Sequence, residues 1–382
     1  QHLKNGSGLR ILTETITSPA LGDQLDALSK TFPEAQWHQF EPDNRDNLRS
    51  GALLAFGEVV NTYYDFAKAD VVVSLDADFA TTGPGGTRYA RDFASRRNIA
   101  GGDKEMNRLY ALETIPSATG SIADHRLALN TAEIEHFAMA LAHSLGIELA
   151  QAPDVMQADW VEPIARDLQR HKSSSIVVAG DQQSALVHAL AHAINQSLGN
   201  VGNTVHHTAP LEVNPVDQGE SLRSLAADMS AGQVDALLII GGNPAFSAPA
   251  DLDFAGSLGK VGFRVHLGLF EDETSDLCHW HIPESHYLES WGDIRAYDGT
   301  VSIIQPLIEP LYNSKSSHEF VAALSGQSGK PVLDTLREFW LNQDVAWDFE
   351  RFWQQSLHDG MLADSALPPK QAVLLALPTV CS

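Results

Sequence analysis

The chain has 382 residues, 43% of them hydrophobic, and its 49 acidic against 25 basic side chains give a formal charge of −24. That charge opposes a phosphate backbone at long range and argues against a nucleic-acid partner, while the ordinary apolar content excludes disorder and allows roughly two or three domains with sizeable cores. The two cysteines, Cys278 and Cys381, are too few for a Cys-ligated iron–sulfur cluster, which takes about four thiolates, or for a disulfide framework.

No apolar run reaches the roughly eighteen residues of a membrane span, and the first residues, Gln1-His2-Leu3-Lys4, form neither a signal peptide nor an initiating methionine. The chain is therefore expected to be a piece of a longer product. In chain order, the pattern predicts a strand over Leu9 to Thr15, a helix from about Leu21 to Thr31, a strand over Gln36 to Phe40, a helix through Leu53 to Ala67 and a strand over Val71 to Leu75. Gly83-Pro84-Gly85-Gly86 and Gly101-Gly102 then mark a long irregular passage. A second crossover starts at Leu109 to Glu113 and ends in a helix with Ile134, Phe137, Ala138, Leu141 and Leu145 on one face, its start capped by Asn130 with Glu133.

Ala152-Pro153-Asp154 reads as a linker. Beyond it come a strand over Ile176 to Ala179, a helix over Gln182 to Leu198, and strands near Leu237 to Ile240 and Phe263 to Leu269. After Pro310 the character becomes helical, over Phe320 to Leu324, Leu333 to Leu341 and Trp347 to Leu357, with Trp340, Trp347 and Trp353 expected on the surface. Alternating strands and helices predict an α/β fold of parallel sheets with Rossmann-like halves and a helical C-terminal segment. The expected division is 1–150 (first α/β domain), 151–310 (second α/β domain) and 311–382 (mainly helical).

Two strand-turns differ in chemistry. Val234 to Ile240 ends in Gly241-Gly242-Asn243-Pro244, a turn that lets backbone N–H groups approach a phosphate, whereas Ala69 to Leu75 ends in Asp76-Ala77-Asp78, whose carboxylates would repel one. The glycines at Gly180-Asp181 and in Leu198 to Asn203 are explained by turn and cap conformations. His188 and His192 share a helix face at metal-ligand spacing, and Cys278, His279, His281 and His286 are the densest group of potential ligands. The first pair lacks the glutamate of a zinc protease and Pro283 interrupts the second group, so packing and hydrogen bonding are expected of both rather than a metal. Neither a nucleophile elbow nor a P-loop is present.

The stretch Cys278-His279-Trp280-His281-Ile282-Pro283-Glu284-Ser285-His286-Tyr287-Leu288-Glu289-Ser290-Trp291-Gly292-Asp293, with Asp298-Gly299-Thr300-Val301 and Gln305-Pro306-Leu307-Ile308 after it, resembles the large iron–sulfur subunit of alternative complex III, in its molybdopterin-oxidoreductase-like region. Gly83 to Gly86 through Arg91-Asp92-Phe93, Ser117 through Ala123-Asp124-His125-Arg126, Asn195 to Gly202 and the turn at Gly241 to Pro244 agree, so the resemblance runs from Leu9 to Leu311.

The resemblance implies the fold of the formate dehydrogenase and DMSO reductase domains, and it places Gly241, Gly242, Asn243, Pro244 and Asp124 at a vestigial pterin-dinucleotide cradle. It further implies a scaffold without a cofactor of its own in a quinol-oxidising complex. Iron–sulfur clusters would lie in an adjoining ferredoxin-like region. Partners would be that region, a quinol-binding membrane subunit and cytochrome c-type subunits, on the periplasmic face of the cytoplasmic membrane. Three departures from active relatives agree: Asp76 and Asp78 replace a Gly/Asn turn, no soft molybdenum ligand stands around Asp43 to Ser50, where only Ser50 could serve, and the N-terminal cysteine-rich segment is not in this chain. The alternative is an active molybdenum-bis(pterin guanine dinucleotide) reductase of polysulfide or thiosulfate type, with Arg88 or Arg91 neutralising Asp76 and Asp78.

Overall fold

Strands in chain order are β1 (Leu9–Thr13), β2 (Gln36–Gln39), β3 (Asn61–Tyr64), β4 (Val71–Leu75), β5 (Arg108–Glu113), β6 (His125–Ala128), β7 (Ser175–Ala179), β8 (Val205–Thr208), β9 (Ala236–Ile240), β10 (Phe263–Gly268), β11 (Trp280–Pro283), β12 (Gly292–Arg295) and β13 (Val301–Ile304). The computed structural model describes residues 5–98, 105–149, 157–343 and 347–376. Gly101-Gly102, the expected linker Ala152 to Asp154, and Cys381 lie outside the described residues.

The chain divides into two units, and neither follows the boundaries expected at 150 and 310. One unit comprises residues 1–44 and 211–366, the other residues 45–210 and 367–382. The reason is β1. It pairs in parallel with β2 on one edge and with β9 on the other, so the first strands of the chain complete a sheet whose remaining strands come some 200 residues later. The C-terminal residues likewise do not form a separate helical body, because residues 311–366 belong to the first unit and the described residues beyond them, 367–376, to the second.

In the first unit the sheet order is β11-β10-β9-β1-β2, all parallel. β1 and β9 are buried along their whole length, as parallel strands covered on both faces must be. Leu9, Ile11, Leu238 and Ile240 pack against Leu21, Leu25 and Leu28 of the helix Pro19–Thr31. The alternate residues Leu12, Leu237 and Ile239 pack against Leu222, Leu225 and Met229 of the helix Gln218–Ser230. Each buried leucine contributes about 1.5–3 kcal/mol.

Trp340 and Trp353, expected on the surface, are 5% and 2% exposed, whereas Trp347 is 97% exposed. The amphipathic helices Val332–Leu341 and Phe349–Asp359 turn Trp340 and Trp353 inward onto Val301, Ile303 and Leu336. Trp340 can be buried because its indole N–H donates to Asp293 at 3.0 Å, which satisfies the ring's polar atom. The same carboxylate accepts the Ser18 hydroxyl at 2.5 Å, and Ser18 caps the helix Pro19–Thr31.

In the second unit the order is β6-β5-β4-β7, again all parallel, with β3 and β8 as a separate antiparallel pair. The predicted helix over Leu53 to Ala67 is replaced by the helix Asp46–Phe56, a left-handed Gly57 at φ +72°, and β3. Gly57 ends the helix at no steric cost, and Asn61-Thr62-Tyr63-Tyr64 has the β-branched and aromatic composition of a strand. The predicted cap of the helix Thr131–Ser144 is present as a reciprocal pair of bonds between Asn130 and Glu133.

His188, His192 and His207 are buried in this unit, with Phe56 packed 4.9 Å from His192 and 5.2 Å from His207, ring centre to ring centre. Burial lowers His192 to about 3, helped by His207 and then His188, and lowers His188 and His207 to about 4. The three rings are therefore neutral at pH 7. Below the ordinary histidine value of about 6.5 the unfolded chain takes up protons that the folded one refuses, so stability is lost as pH falls from about 6.5 towards 4. Replacing His192 with Leu should make that acid loss shallower by about one proton, read from urea unfolding midpoints between pH 4.5 and 7.5; an unchanged slope would mean that His192 does not carry it.

Candidate functional site

Ligands of open parallel sheets bind beyond the carboxyl ends of the strands, where the strand order reverses. In the first unit the reversal falls between β1 and β9, and in the second between β4 and β7. Both points have the same makeup. A carboxylate follows one strand, Glu14 after β1 and Asp76 after β4, and a glycine follows its neighbour, Gly241 after β9 and Gly180 after β7. The sequence comparison of Asp76 with Gly241 therefore matched halves of two different sites.

At the first point Gly241 and Gly242 have φ of +75° and +68°, a conformation that costs glycine nothing. Gly241 N–H donates to Leu267 O at 2.9 Å. The buried His266 is placed with its Nε2 3.1 Å from Gly242 O, so Nε2–H donates to that carbonyl. Asn243 is tied by its side-chain carbonyl to Thr274, whose hydroxyl donates at 2.7 Å, and its amide donates to Glu273 at 2.7 Å. Over this braced turn lies Glu14. A Cβ added to Gly241 would stand 2.6 Å from Glu14 Oε2, and one added to Gly242 would stand 3.4 Å from its Cγ.

More negative charge surrounds Glu14. Burial, and then Glu41, push its carboxyl above the usual range. Glu284, just past β11, is pushed up to about 7 by burial, with the Ser317 hydroxyl opposing and Glu14 adding to the rise. Glu41 accepts the Thr15 hydroxyl at 2.6 Å, and its backbone N–H donates to Gln218 Oε1 at 2.7 Å. A phosphate at this turn would meet carboxylates where a dinucleotide site needs N–H donors or cations.

At the second point Asp76 has φ +58°, and its carboxylate accepts from Thr114 N–H and Gln183 Nε2, both at 2.9 Å. Its backbone carbonyl accepts from Gln182 Nε2 at 2.7 Å and stands 2.1 Å from where a Cβ on Gly180 would lie. Asp78 accepts from Thr119 N–H at 2.8 Å and from the Thr81 hydroxyl. Burial alone would raise Asp78, but these bonds outweigh it and hold the carboxyl below its usual range. The suggested pairing with Arg88 or Arg91 is not what holds the turn. Its partners are Thr114, Thr119, Thr81 and two glutamines, and Arg88 pairs with Asp92 at 2.6 Å. The loop after β5 thus closes onto the carboxylates.

The other predicted residues are divided between the two units. Gly241 to Pro244 form one turn of the first unit, whereas Asp124 belongs to the second, where it pairs with Arg97 at 2.5 Å and accepts Leu109 N–H at 2.8 Å. Ser50 lies within the helix Asp46–Phe56. His279 Nδ1 accepts Arg264 N–H at 3.1 Å, His281 packs 5.4 Å from His266, and His286 Nδ1 accepts Leu288 N–H at 3.2 Å. Among the described residues no group of three or more His, Cys, Asp and Glu has metal-holding geometry. Cys278 is pushed up to about 11 by burial, against Arg264, so its sulfur stays a thiol at neutral pH. Glu14 and His266 were missed by sequence reasoning; the available signal was an acidic residue directly after the first buried strand, in the place that Asp76 takes after β4.

The family model for molybdopterin oxidoreductase matches residues 25–327. A protein of Nitratidesulfovibrio vulgaris named menaquinone reductase, molybdopterin-binding-like subunit, is 24% identical over 308 residues, 70% of this chain and 44% of that relative, so the chain spans less than half of the relative's length. Among solved structures, acetylene hydratase from Pelobacter acetylenicus superposes with a TM-score of 0.59 at 11% identity, over 84% of this chain and 55% of that one. The formyltransferase/hydrolase complex of Methylorubrum extorquens contributes a chain with a TM-score of 0.54 at 15% identity, over 85% of this chain and 93% of that one. At such identities the likeness to solved structures is one of fold.

If Asp76 organises the second switch point, Asp76→Ala should destabilise the chain by about 1–3 kcal/mol, because Thr114 N–H and Gln183 Nε2 lose their acceptor. Asp76→Asn should cost less, since Asn tolerates positive φ and keeps one acceptor oxygen. Urea unfolding of both variants tests this, and equal, negligible losses would show that the carboxylate is not structural.

Proposed function

Because the chain belongs to the molybdopterin oxidoreductase family, we propose that it is a cofactor-free member, the scaffold region of a respiratory quinol:electron-acceptor oxidoreductase of the alternative complex III type. Its role is to hold the iron–sulfur region and neighbouring subunits in place while they carry electrons. The carrying observation is the carboxylate at each switch point. Glu14 lies over Gly241 and Gly242, and Asp76 is bonded into the loop after β5. These residues do not fit the pyrophosphates of a pterin dinucleotide.

Three further observations support the reading. The region around Asp43 to Ser50 supplies no soft metal ligand, and Cys278, the cysteine among the described residues, is a high-pKa thiol. The Nitratidesulfovibrio vulgaris relative is named as a molybdopterin-binding-like subunit of a menaquinone reductase, which favours a place in a multi-subunit quinone-linked complex. Within the proposal, the partners are the iron–sulfur region, a quinol-binding membrane subunit and cytochrome c-type subunits, at the periplasmic face of the cytoplasmic membrane. Among the described residues no helix is long and apolar enough to cross a membrane.

Elemental and pterin analysis of the purified chain, and of the native complex containing it, tests the proposal. The expected result is molybdenum and tungsten far below one per chain and no pterin fluorescence after oxidation. Close to one molybdenum per chain, with two pterins, would overturn it in favour of an active molybdenum-bis(pterin guanine dinucleotide) reductase of polysulfide or thiosulfate type.

A further inference from the structure

The turn after β9 keeps the backbone features of a diphosphate site although a carboxylate stands over it. It lies at the reversal of strand order in a parallel sheet, its glycines hold positive φ, and His266 and Thr274 brace it from behind. Among the described residues, the N–H groups of Gly242 and Asn243 donate to no protein acceptor. Two unused N–H donors beside a glycine whose missing side chain leaves room for close approach are what a phosphate oxygen requires. The space into which side chains at Gly241 and Gly242 would project is taken by the Glu14 side chain, which neither donates to this turn nor accepts from it among the described residues.

We propose that Glu14 is a carboxylate lock on a latent nucleotide-diphosphate site, and that removing this one carboxylate opens the Gly241–Gly242–Asn243 turn to a diphosphate. The inference rests on the closed-cradle reading above and deepens it, assigning the closure of the first unit to a single side chain. Glu14 is the residue suited to that role because it touches both glycines, whereas Glu41 is engaged by Thr15 and Glu284 by Ser317. The second unit is not reversible in the same way. Asp76 is bonded to two elements of its own unit, so deleting it removes structure as well as charge.

The probe is inorganic pyrophosphate, with GDP as the nucleotide arm, titrated calorimetrically into the unmodified chain and into Glu14→Ala, Glu14→Gln and Glu14→Asp. The expected result is at least about tenfold tighter pyrophosphate binding for Glu14→Ala, a smaller gain for Glu14→Gln, which removes the charge but keeps the bulk, and no gain for Glu14→Asp. Selective ¹⁵N labelling of glycine should show the Gly242 amide shifting on titration. Thermal unfolding identifies any variant that fails to fold, and Glu14→Gln, nearly isosteric, keeps the test open if Glu14→Ala does so.

Folded Glu14→Ala and Glu14→Gln that bind no better than the unmodified chain, or that bind with shifts away from Gly241 and Gly242, would overturn the lock while leaving the cofactor-free reading intact. Micromolar binding by the unmodified chain with Gly242 shifted would instead overturn the closed-cradle reading itself.

Discussion

Two negative groups cannot share a small crevice without a counter-charge. Unit charges about 4 Å apart repel by about 4 kcal/mol at an effective dielectric near 20, and more where water is excluded. This constraint organises both sheets. In each unit a carboxylate directly follows one of the two strands that flank the reversal of strand order, where a parallel sheet receives a ligand. The two closures differ in construction. Asp76 is a structural acceptor for Thr114 and Gln183 and holds the loop after β5 against the sheet. Glu14 lies over a turn that other residues already brace, and its raised pKa records burial and then the neighbouring Glu41.

What places Glu14 beside Gly241 is ordinary packing, whereas Asp76 is held by hydrogen bonds. β1 and β9 are buried along their lengths, with alternate residues committed to opposite helical layers. A one-residue shift in register would turn Ile11 and Leu12 to the wrong layers, so the ends of the two strands, and hence Glu14 and Gly241, are held side by side. On the proposed reading such a fold would keep its shape without a ligand, because the sheet and its covering helices supply the buried apolar area. That is the physical sense in which a dinucleotide-binding architecture can serve as a scaffold.

Much of the fold was legible in the sequence. The runs Val71 to Leu75 and Leu237 to Ile240 announced buried strands, and Asn130 with Glu133 announced a helix start, because those signals are local. What was not legible depended on contacts far apart in sequence. The placement of β1 beside β9 and the return of the C-terminal residues to the second unit leave no local signature, so contiguous domain boundaries were inferred where the units are interleaved. Trp340 looked exposed, and its burial is explained by the distant Val301, Ile303 and Asp293. The site was half legible: the glycine turn and the two aspartates stood out as motifs, but Glu14 was read as part of a strand, and its meaning appears only beside Gly241.

The most direct measurement of the central claim is a high-resolution crystal structure of the unmodified chain grown in excess inorganic pyrophosphate. The account predicts Glu14 lying over Gly241 and Gly242, Asp76 bonded to Thr114 and Gln183, and no pyrophosphate at either strand-order reversal. Pyrophosphate held by the backbone at Gly242, with Glu14 swung aside, would contradict it.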